Sequence, residues 1–200
     1  PMSGWTMPVA SCIVDAAGER TVISPGARGS NFDLDETARQ AVANADVLLL
    51  DGHHPSLAEQ ELAARKPDCI VILDGGSVKT RAEQWLPQVT VLAASRDYAV
   101  VSLGGDERDA LAHGLAGGCE AVVITRGADP ILYQFAGRES VSAQPVRRVE
   151  VRSTLGAGDA FHGALAAGLA GAIRPGHWLD LGRLLPAAIE LAAEVATVRV

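Results

Sequence analysis

The fold is decided by the stretch VLLLDGHHPSLAEQELAARKPDCIVIL, residues 47–73. It opens with four apolar residues, Val47–Leu50, which is the pattern of a strand covered on both faces of a parallel sheet. Ser56-Leu57-Ala58-Glu59 follows as a capping box, which predicts a helix reaching to about Arg65. A second buried strand, Cys69–Leu73, comes next. A strand, a helix and another strand in this order predict a right-handed crossover and a parallel sheet.

The same alternation continues along the chain. We predict strands at Val89–Leu92 and Ala121–Thr125, a hairpin of Ile131–Gln134 with Glu139–Val141, an extended segment Arg148–Val151, and helices at Thr80–Leu86, Glu107–Ala116, Gly158–Ala172 and Leu184–Val198. Ahead of them, the β-prone runs Val9–Val14 and Arg20–Ser24 predict a hairpin that turns at Gly18. The fold class is therefore α/β, a three-layer sandwich with a mainly parallel sheet, forming a single domain over residues 1–200.

Composition narrows the class of function. The chain has 200 residues, 48% of them apolar, and a formal charge of −7, so a packed core is expected and a nucleic-acid partner is not. No apolar run approaches the roughly 20 residues of a membrane-spanning helix, and no signal peptide is visible, so we expect no membrane partner and a cytoplasmic location. Cys12, Cys69 and Cys119 are far apart and lie in apolar surroundings, which predicts reduced, buried thiols.

The segment STLGAGDAF, residues 153–161, carries the chemistry. Small residues at Gly156, Ala157 and Gly158 allow a tight turn and a close approach of a ligand. The helix that follows directs its free N–H groups into the same space, which is typical of a phosphate site. Asp159 in its first turn is a candidate to take a proton from a hydroxyl; the alternative is a plain helix-terminus charge. His162, one turn further, either packs in the core or acts at the site.

This segment resembles the motif D-[ST]-x-G-A-G-D-x-F of the ribokinase-like (PfkB) carbohydrate kinases at eight of nine positions. Asp15–Thr21, Ala45–Asp51 and Val122–Gly127 also resemble strands of that family. The resemblance implies a ribokinase-like sandwich in which residues 9–24 form a lid-associated β hairpin. It also implies an ATP-dependent phosphotransferase that acts on a hydroxyl of a small sugar.

The resemblance further implies roles for individual residues. Asp159 is expected to be the general base, and Gly156, Ala157 and Gly158 the anion hole for the γ-phosphate of ATP. Thr125 and Gly127 are expected to line the nucleotide, and Arg126 beside them is a further candidate for an ATP contact. ATP, Mg²⁺ and the sugar are the expected ligands.

The sequence departs from the family pattern at two sites. Ser153 replaces an aspartate that often helps to bind an activating monovalent cation, so dependence on such a cation is not expected. The usual Asn-x-x-Glu appears as Ser95-Arg96-Asp97-Tyr98, which resembles the ketohexokinase-like branch and suggests a ketose. This change removes an acidic residue tied to magnesium through water. Asp51 or Asp74 are candidates to supply that charge, and each is equally a solvated strand-end residue.

Length is the third departure, because members of the family are longer. The chain is expected to lack an N-terminal part that carries the sugar motif, as well as the C-terminal end. The sheet edge exposed by that loss predicts self-association, as a homodimer. Two alternatives to a sugar kinase stay open: a non-catalytic sugar- or nucleotide-binding relic of the fold, and a nucleoside kinase.

Overall fold

A computed structural model of the chain describes residues 9–14, 20–24, 32–76, 82–151, 153–173 and 180–198. The strands are β1 (Ser11–Val14), β2 (Arg20–Ile23), β3 (Val47–Leu50), β4 (Ile70–Gly75), β5 (Val91–Ser95), β6 (Ala121–Arg126), β7 (Asp129–Phe135) and β8 (Ser142–Gln144). The helices are α1 (Glu36–Asn44), α2 (Pro55–Ala64), α3 (Arg96–Ser102), α4 (Glu107–Ala116), α5 (Ala157–Ala172) and α6 (Leu181–Thr197), with a 3₁₀ helix at Ala82–Gln88. The predicted turn at Gly18 lies outside the described residues.

Strands β3 to β8 form one six-stranded sheet in chain order. Strands β3, β4, β5 and β6 are parallel, and β7 and β8 each run antiparallel to the strand before. The register places Asp74 on β4 directly opposite Ala93 on β5. Strands β1 and β2 pair with each other in a separate antiparallel sheet. These pairings confirm the predicted mainly parallel sheet and the pairing of the first two strands.

Successive residues of the central strands face two separate cores. On β4, Val71 and Leu73 pack into the core formed with α2, α3 and α4, whereas Ile70 and Ile72 pack into the core formed with α5 and α6. Side chains alternate between the two faces of a strand, so these buried runs need helices on both sides. The three-layer arrangement is thereby confirmed. None of the described helices is both long and apolar enough to cross a membrane.

The first crossover differs from the prediction in two details. Leu48 and Leu50 of β3 pack into one core and Val47 into the other, as expected of a strand covered on both faces. Strand β3 is nevertheless an edge strand of the described sheet, and Leu49 is 38% exposed, so the cover on the second face is incomplete. The helix begins at Pro55 rather than Ser56, and no capping box forms there. The carbonyl of His54 accepts hydrogen bonds from the N–H groups of Leu57 and Ala58. Proline suits this first helical position because the N–H it lacks would have no intrahelical partner.

The bounds of other helices and strands also differ from those predicted. The segment predicted as a helix at Thr80–Leu86 is the 3₁₀ helix Ala82–Gln88, which contains Pro87, a residue without an N–H group to donate. Strand β5 begins two residues later than predicted. The second strand of the last hairpin is Ser142–Gln144, and Arg148–Val151 is not a strand. Pro145 follows directly after Gln144 and cannot extend the ladder of hydrogen bonds.

The cysteines divide into two groups. Cys69 and Cys119 are buried free thiols, and burial raises the pKa of Cys119 to about 12. Cys12 is exposed, so the prediction that all three are buried is wrong. It lies on β1, where every residue is exposed. Residues 21–23 of the paired strand β2 are exposed as well, so the apolar neighbours of Cys12 in the sequence do not cover it.

Candidate active site

Helix α5 begins at a glycine with a left-handed backbone. Gly156 is the N-cap residue, with φ 79° and ψ 0°, a region that favours glycine because it has no Cβ. Its carbonyl accepts the first intrahelical hydrogen bond from the N–H of Ala160 at 2.9 Å. The N–H of Ala157 donates to the carbonyl of Thr154 at 3.2 Å, which closes the turn ahead of the helix. The glycine-rich segment therefore forms the predicted tight entry into a helix.

The first turn of α5 presents a small polar surface. The N–H groups of Gly158 and Asp159 are two of those that an α-helix leaves without an intrahelical partner. Both residues are exposed, and Ala157 and Gly156 are half-buried. Together with the positive end of the helix dipole, these groups suit an anion. The carboxylate of Asp159 lies in the same turn, adjacent to these N–H groups.

His162 attaches the amino-terminal half of α5 to the sheet. Its Nε2 lies 3.1 Å from the carbonyl oxygen of Ala93, and its Nδ1 lies 3.5 Å from Oδ2 of Asp74. Asp74 is the last residue but one of β4, and Ala93 is the middle residue of β5. The start of α5 is thus held at the sheet edge where ligands bind in open α/β sheets. The sequence pattern alone did not distinguish this role of His162 from packing.

The two predicted magnesium candidates have different surroundings. Asp51 is exposed after β3, and its Oδ1 accepts a hydrogen bond from the N–H of His53 at 2.9 Å. Asp74 is half-buried, and its Oδ1 accepts from the N–H of Gly76 at 2.5 Å while its Oδ2 faces His162. Burial, and then the nearby charge of Asp51, raises the pKa of Glu61 on α2. Within the described ranges, no three His, Cys, Asp or Glu side chains are grouped to hold a metal ion.

The predicted nucleotide residues lie at the carboxyl end of β6. The hydroxyl of Thr125 donates to the carbonyl of Ala94 at 3.4 Å. Gly127 has φ 62° in the turn that leads to β7, and a Cβ built there would meet open space. The guanidinium of Arg126 donates through Nε to Glu107 at 2.8 Å and through Nη1 to the carbonyl of Pro130 at 3.1 Å. Arg126 is thus oriented by protein contacts.

A charged network of Arg96, Glu107, Arg126 and Asp129 joins four elements at this edge. Arg96 donates through Nε to Oε1 of Glu107 at 2.7 Å, the same oxygen that Arg126 contacts. Its Nη2 donates to Asp129 at 2.6 Å. The network links the starts of α3 and α4 to the turn between β6 and β7. Sequence analysis missed Glu107 and Asp129, because their partners lie 11 to 33 residues away in the chain.

The segment that replaces Asn-x-x-Glu is the start of α3. The hydroxyl of Ser95 accepts a hydrogen bond from the N–H of Tyr98 at 3.2 Å and caps the helix. Tyr98 is 3% exposed. A Cβ placed on Gly75 would lie only 2.9 Å from the Tyr98 ring, so the tyrosine packs directly on β4. At this position the chain therefore has a packed aromatic ring and no carboxylate.

A mainly parallel sheet with helices on both faces defines an α/β protein, and a glycine-capped helix at the carboxyl edge is where proteins of this class commonly bind anionic ligands. The chain belongs to the pfkB family of carbohydrate kinases, whose family model matches residues 6–200. No curated protein matches the chain by sequence.

Solved structures show the same fold. The ribokinase of Arabidopsis thaliana, complexed with ribose and ATP, is 22% identical, with a TM-score of 0.77 over 96% of this chain and 62% of that one. The ribokinase of Giardia lamblia is 14% identical, with a TM-score of 0.82 over 98% of this chain and 67% of that one. The adenosine kinase of Schistosoma mansoni, in complex with 2-fluoroadenosine, is 15% identical, with a TM-score of 0.74 over 98% of this chain and 63% of that one. The chain thus spans about two thirds of the length of these structures.

The two glycines at the start of α5 provide a matched pair of substitutions. A Cβ would meet open space at both, but only Gly156 has a positive φ. We expect Gly156→Ala to lower the free energy of unfolding by about 1–2 kcal/mol, because the left-handed backbone is strained for alanine. Gly158→Ala should leave it unchanged or raise it by up to about 1 kcal/mol, since alanine is the better helix former. Urea unfolding followed by circular dichroism measures both; equal losses would contradict the assigned backbone.

The charged network predicts a pH dependence of stability. The hydrogen bond from Arg96 holds the pKa of Asp129 below its usual value. The folded-state pKa is therefore lower than the unfolded one, so the stabilisation is present above the unfolded pKa and is lost as pH falls through the folded pKa. The wild type should be more stable than Asp129→Asn at about pH 7, and the gap should narrow below the ordinary aspartate pKa of about 3.9 and close as pH falls through the lowered folded-state pKa. A gap that stays constant between these pH values would refute the pairing.

Proposed function

We propose that this protein transfers the γ-phosphoryl group of ATP to a hydroxyl of a small sugar of the ketose type, in the cytoplasm. One observation carries the proposal: an exposed carboxylate, Asp159, stands in the first turn of a glycine-capped helix held at the carboxyl edge of a parallel sheet. Membership of the pfkB family supplies the reaction class. The ketose is the acceptor of the ketohexokinase-like branch, which the residues 95–98 resemble.

The residues of this turn divide the chemistry between them. Asp159 accepts the proton of the sugar hydroxyl as its oxygen attacks the γ-phosphorus. In the anion hole proposed at Gly156, Ala157 and Gly158, the N–H of Ala157 closes the turn on Thr154. The N–H groups of Gly158 and Asp159, which have no intrahelical partner, stabilise the negative charge of the transferring group. Phosphoryl transfer depends chiefly on such positioning and charge stabilisation. The pairing of base and anion hole within one turn therefore fits this reaction.

The nucleotide side is proposed to lie along the end of β6. Thr125 and Gly127 line it, and the open space above Gly127 leaves room for a ligand close to the backbone. Arg126 uses Nε and Nη1 within the protein, and a guanidinium has five N–H donors. Its remaining donors are available for a phosphate oxygen. Residues 9–24 would cover this edge as the lid.

The Mg²⁺ ion that accompanies ATP supplies neutralisation of the phosphate charge. Of the two predicted carboxylates, Asp51 fits a water-mediated contact better, because it is exposed and the carboxyl of Glu61 lies nearby. The oxygens of Asp74 already face Gly76 and His162. Ser153 is uncharged at the position where the family often has an aspartate, and its hydroxyl oxygen accepts a hydrogen bond from the N–H of Leu155 at 3.2 Å. Dependence on a monovalent cation is therefore not part of the proposal.

Two alternatives have specific support. The buried Tyr98, in place of the family's acidic residue, favours a relic of the fold that binds a nucleotide or a sugar without turnover. The shared fold with an adenosine kinase favours a nucleoside as acceptor. Assays of ADP formation with ketoses, ribose and nucleosides, beside equilibrium binding of ATP and of the same acceptors, separate the three. Turnover with ketoses supports the proposed sugar kinase. Turnover with nucleosides supports a nucleoside kinase, and binding without turnover supports the non-catalytic relic.

We also propose that copies of the protein associate as a dimer. Apolar side chains are exposed on the β1–β2 pair, among them Ile13 at 58% and Ile23 at 60%. Strand β3 is an edge of the described sheet, with Leu49 partly exposed. Open edges and apolar faces favour pairing with another chain. Light scattering that gives the mass of a single chain at all concentrations would contradict this.

The general base is tested by Asp159→Asn, which keeps the size of the side chain and cannot accept the proton. We expect kcat to fall by roughly 10²–10⁴-fold, with little change in the affinity for ATP, because the backbone donors remain. The matched control is Asp35→Asn, an exposed aspartate at the start of α1, where asparagine is an equally good cap. A rate for Asp159→Asn near that of the control would exclude Asp159 as the base.

A further inference from the structure

His162 is a buried polar side chain that the proposed reaction does not use. It is 5% exposed, and no other Asp, Glu, Lys, Arg, His, Asn, Gln, Ser or Thr among the described residues is buried to that degree. Around it are apolar residues of the α5–α6 core, including Phe161, whose ring stands edge-on at 5.7 Å. Burying an imidazole in such surroundings is unfavourable unless its nitrogens are paired. Its Nε2 meets that requirement with a hydrogen bond to β5, and its Nδ1 faces a carboxylate on β4.

Each nitrogen of the ring faces a different strand. A carbonyl oxygen only accepts, so the Nε2 that lies 3.1 Å from Ala93 must carry the hydrogen. Nδ1 has no hydrogen-bond partner of good geometry, and the group it faces is Oδ2 of Asp74 at 3.5 Å. Asp74 and Ala93 are direct neighbours across the β4–β5 ladder. The ring therefore spans two strands, with the Nε2 hydrogen bond on β5 and Nδ1 facing the carboxylate on β4.

The two contacts of the His162 ring, with Ala93 and with Asp74, restrict rotation of α5 about its own axis. A turn of about 10° moves atoms at the side-chain radius of about 6 Å by about 1 Å, and moves the backbone N–H groups by about a third of that. Asp159 lies three residues before His162, on the same side of the helix. A misplacement of about 1 Å can reduce a catalytic rate by about 10²-fold. Rotation would therefore displace the carboxylate of Asp159 and largely spare the anion hole.

We propose that His162 is a positioning residue, whose contacts with Ala93 and Asp74 fix the rotation of α5 and so hold the carboxylate of Asp159 at the reacting hydroxyl. The inference rests on the proposed function, in which Asp159 is the base. It adds a residue of the hydrophobic core to a site whose other residues are exposed or half-buried.

Two substitutions at position 162 separate the contacts. His162→Leu fills the apolar space and removes both. His162→Gln can place an amide N–H near the position of Nε2 and retain the bond to Ala93. We expect His162→Leu to lower kcat by about 10–10²-fold with less than about threefold change in KM for ATP, and His162→Gln to recover most of that loss. The control is His113→Leu on the exposed side of α4, which should leave kcat unchanged.

The double variant tests whether His162 acts through Asp159. In the Asp159→Asn background, His162→Leu should lower kcat by less than about twofold, because the group it positions has already lost its function. An equal loss in both backgrounds would overturn the inference and leave the general base intact, as would a rate for His162→Leu equal to that of His113→Leu. A normal rate for Asp159→Asn alone would overturn the proposed function and the inference with it.

A spectroscopic test on this chain needs no turnover. Nitrogen-15 NMR of the His162 ring should show a protonated Nε2. The ¹³C signal of the Asp159 carboxyl carbon should shift in His162→Leu and return toward the wild-type position in His162→Gln. An unprotonated Nε2, or an Asp159 signal that is the same in all three proteins, would overturn the inference.

Discussion

The proposed site depends on one attachment, the contact of His162 in the amino-terminal half of α5 with Asp74 on β4 and Ala93 on β5. The rest of α5 packs through apolar side chains such as Leu165 and Leu169, which bury area without fixing direction. The hydrogen bond from His162 to Ala93 is directional, and it lies one turn from Asp159. The left-handed backbone at Gly156 then sets where the helix begins. Together these features determine where the free N–H groups and the carboxylate stand.

The opposite side of the same edge is organised by charge. In the network of Arg96, Glu107, Arg126 and Asp129, one carboxylate oxygen accepts from two guanidinium groups. Each exposed pair alone contributes little to stability, but a shared acceptor restrains several loops at once. The turn after β6 is thereby held beside the start of α4. The two halves of the proposed site are thus stabilised by different interactions. The start of α5 is held by an apolar core with one buried polar contact, and the turn after β6 is held by a half-exposed ionic network.

Patterns with a local physical cause were predicted well from the sequence. The apolar run Cys69–Leu73 correctly predicted strand β4, and the glycines after Ala116 correctly predicted the end of helix α4. The glycine-rich turn predicted the start of α5 to within one residue. Helices α1 and α3 were missed, because α1 has no buried residue and α3 has only seven residues. The role of His162 depends on a contact across 69 residues, which no local pattern encodes. The exposure of Cys12 depends on what packs over β1, which is tertiary structure and is likewise not encoded in a local pattern.

The central claim is that the start of α5 binds the phosphates of ATP. The most direct measurement is a titration of the ¹⁵N-labelled chain with the magnesium complex of a non-hydrolysable ATP analogue, followed by backbone amide NMR. The account predicts that the amides of residues 157–160 shift most, with those of residues 125–127 next. It would be contradicted by shifts confined to the amino edge of the sheet, in the cleft lined by Asp68, Thr90 and Glu120, while Gly158 and Asp159 stay unchanged.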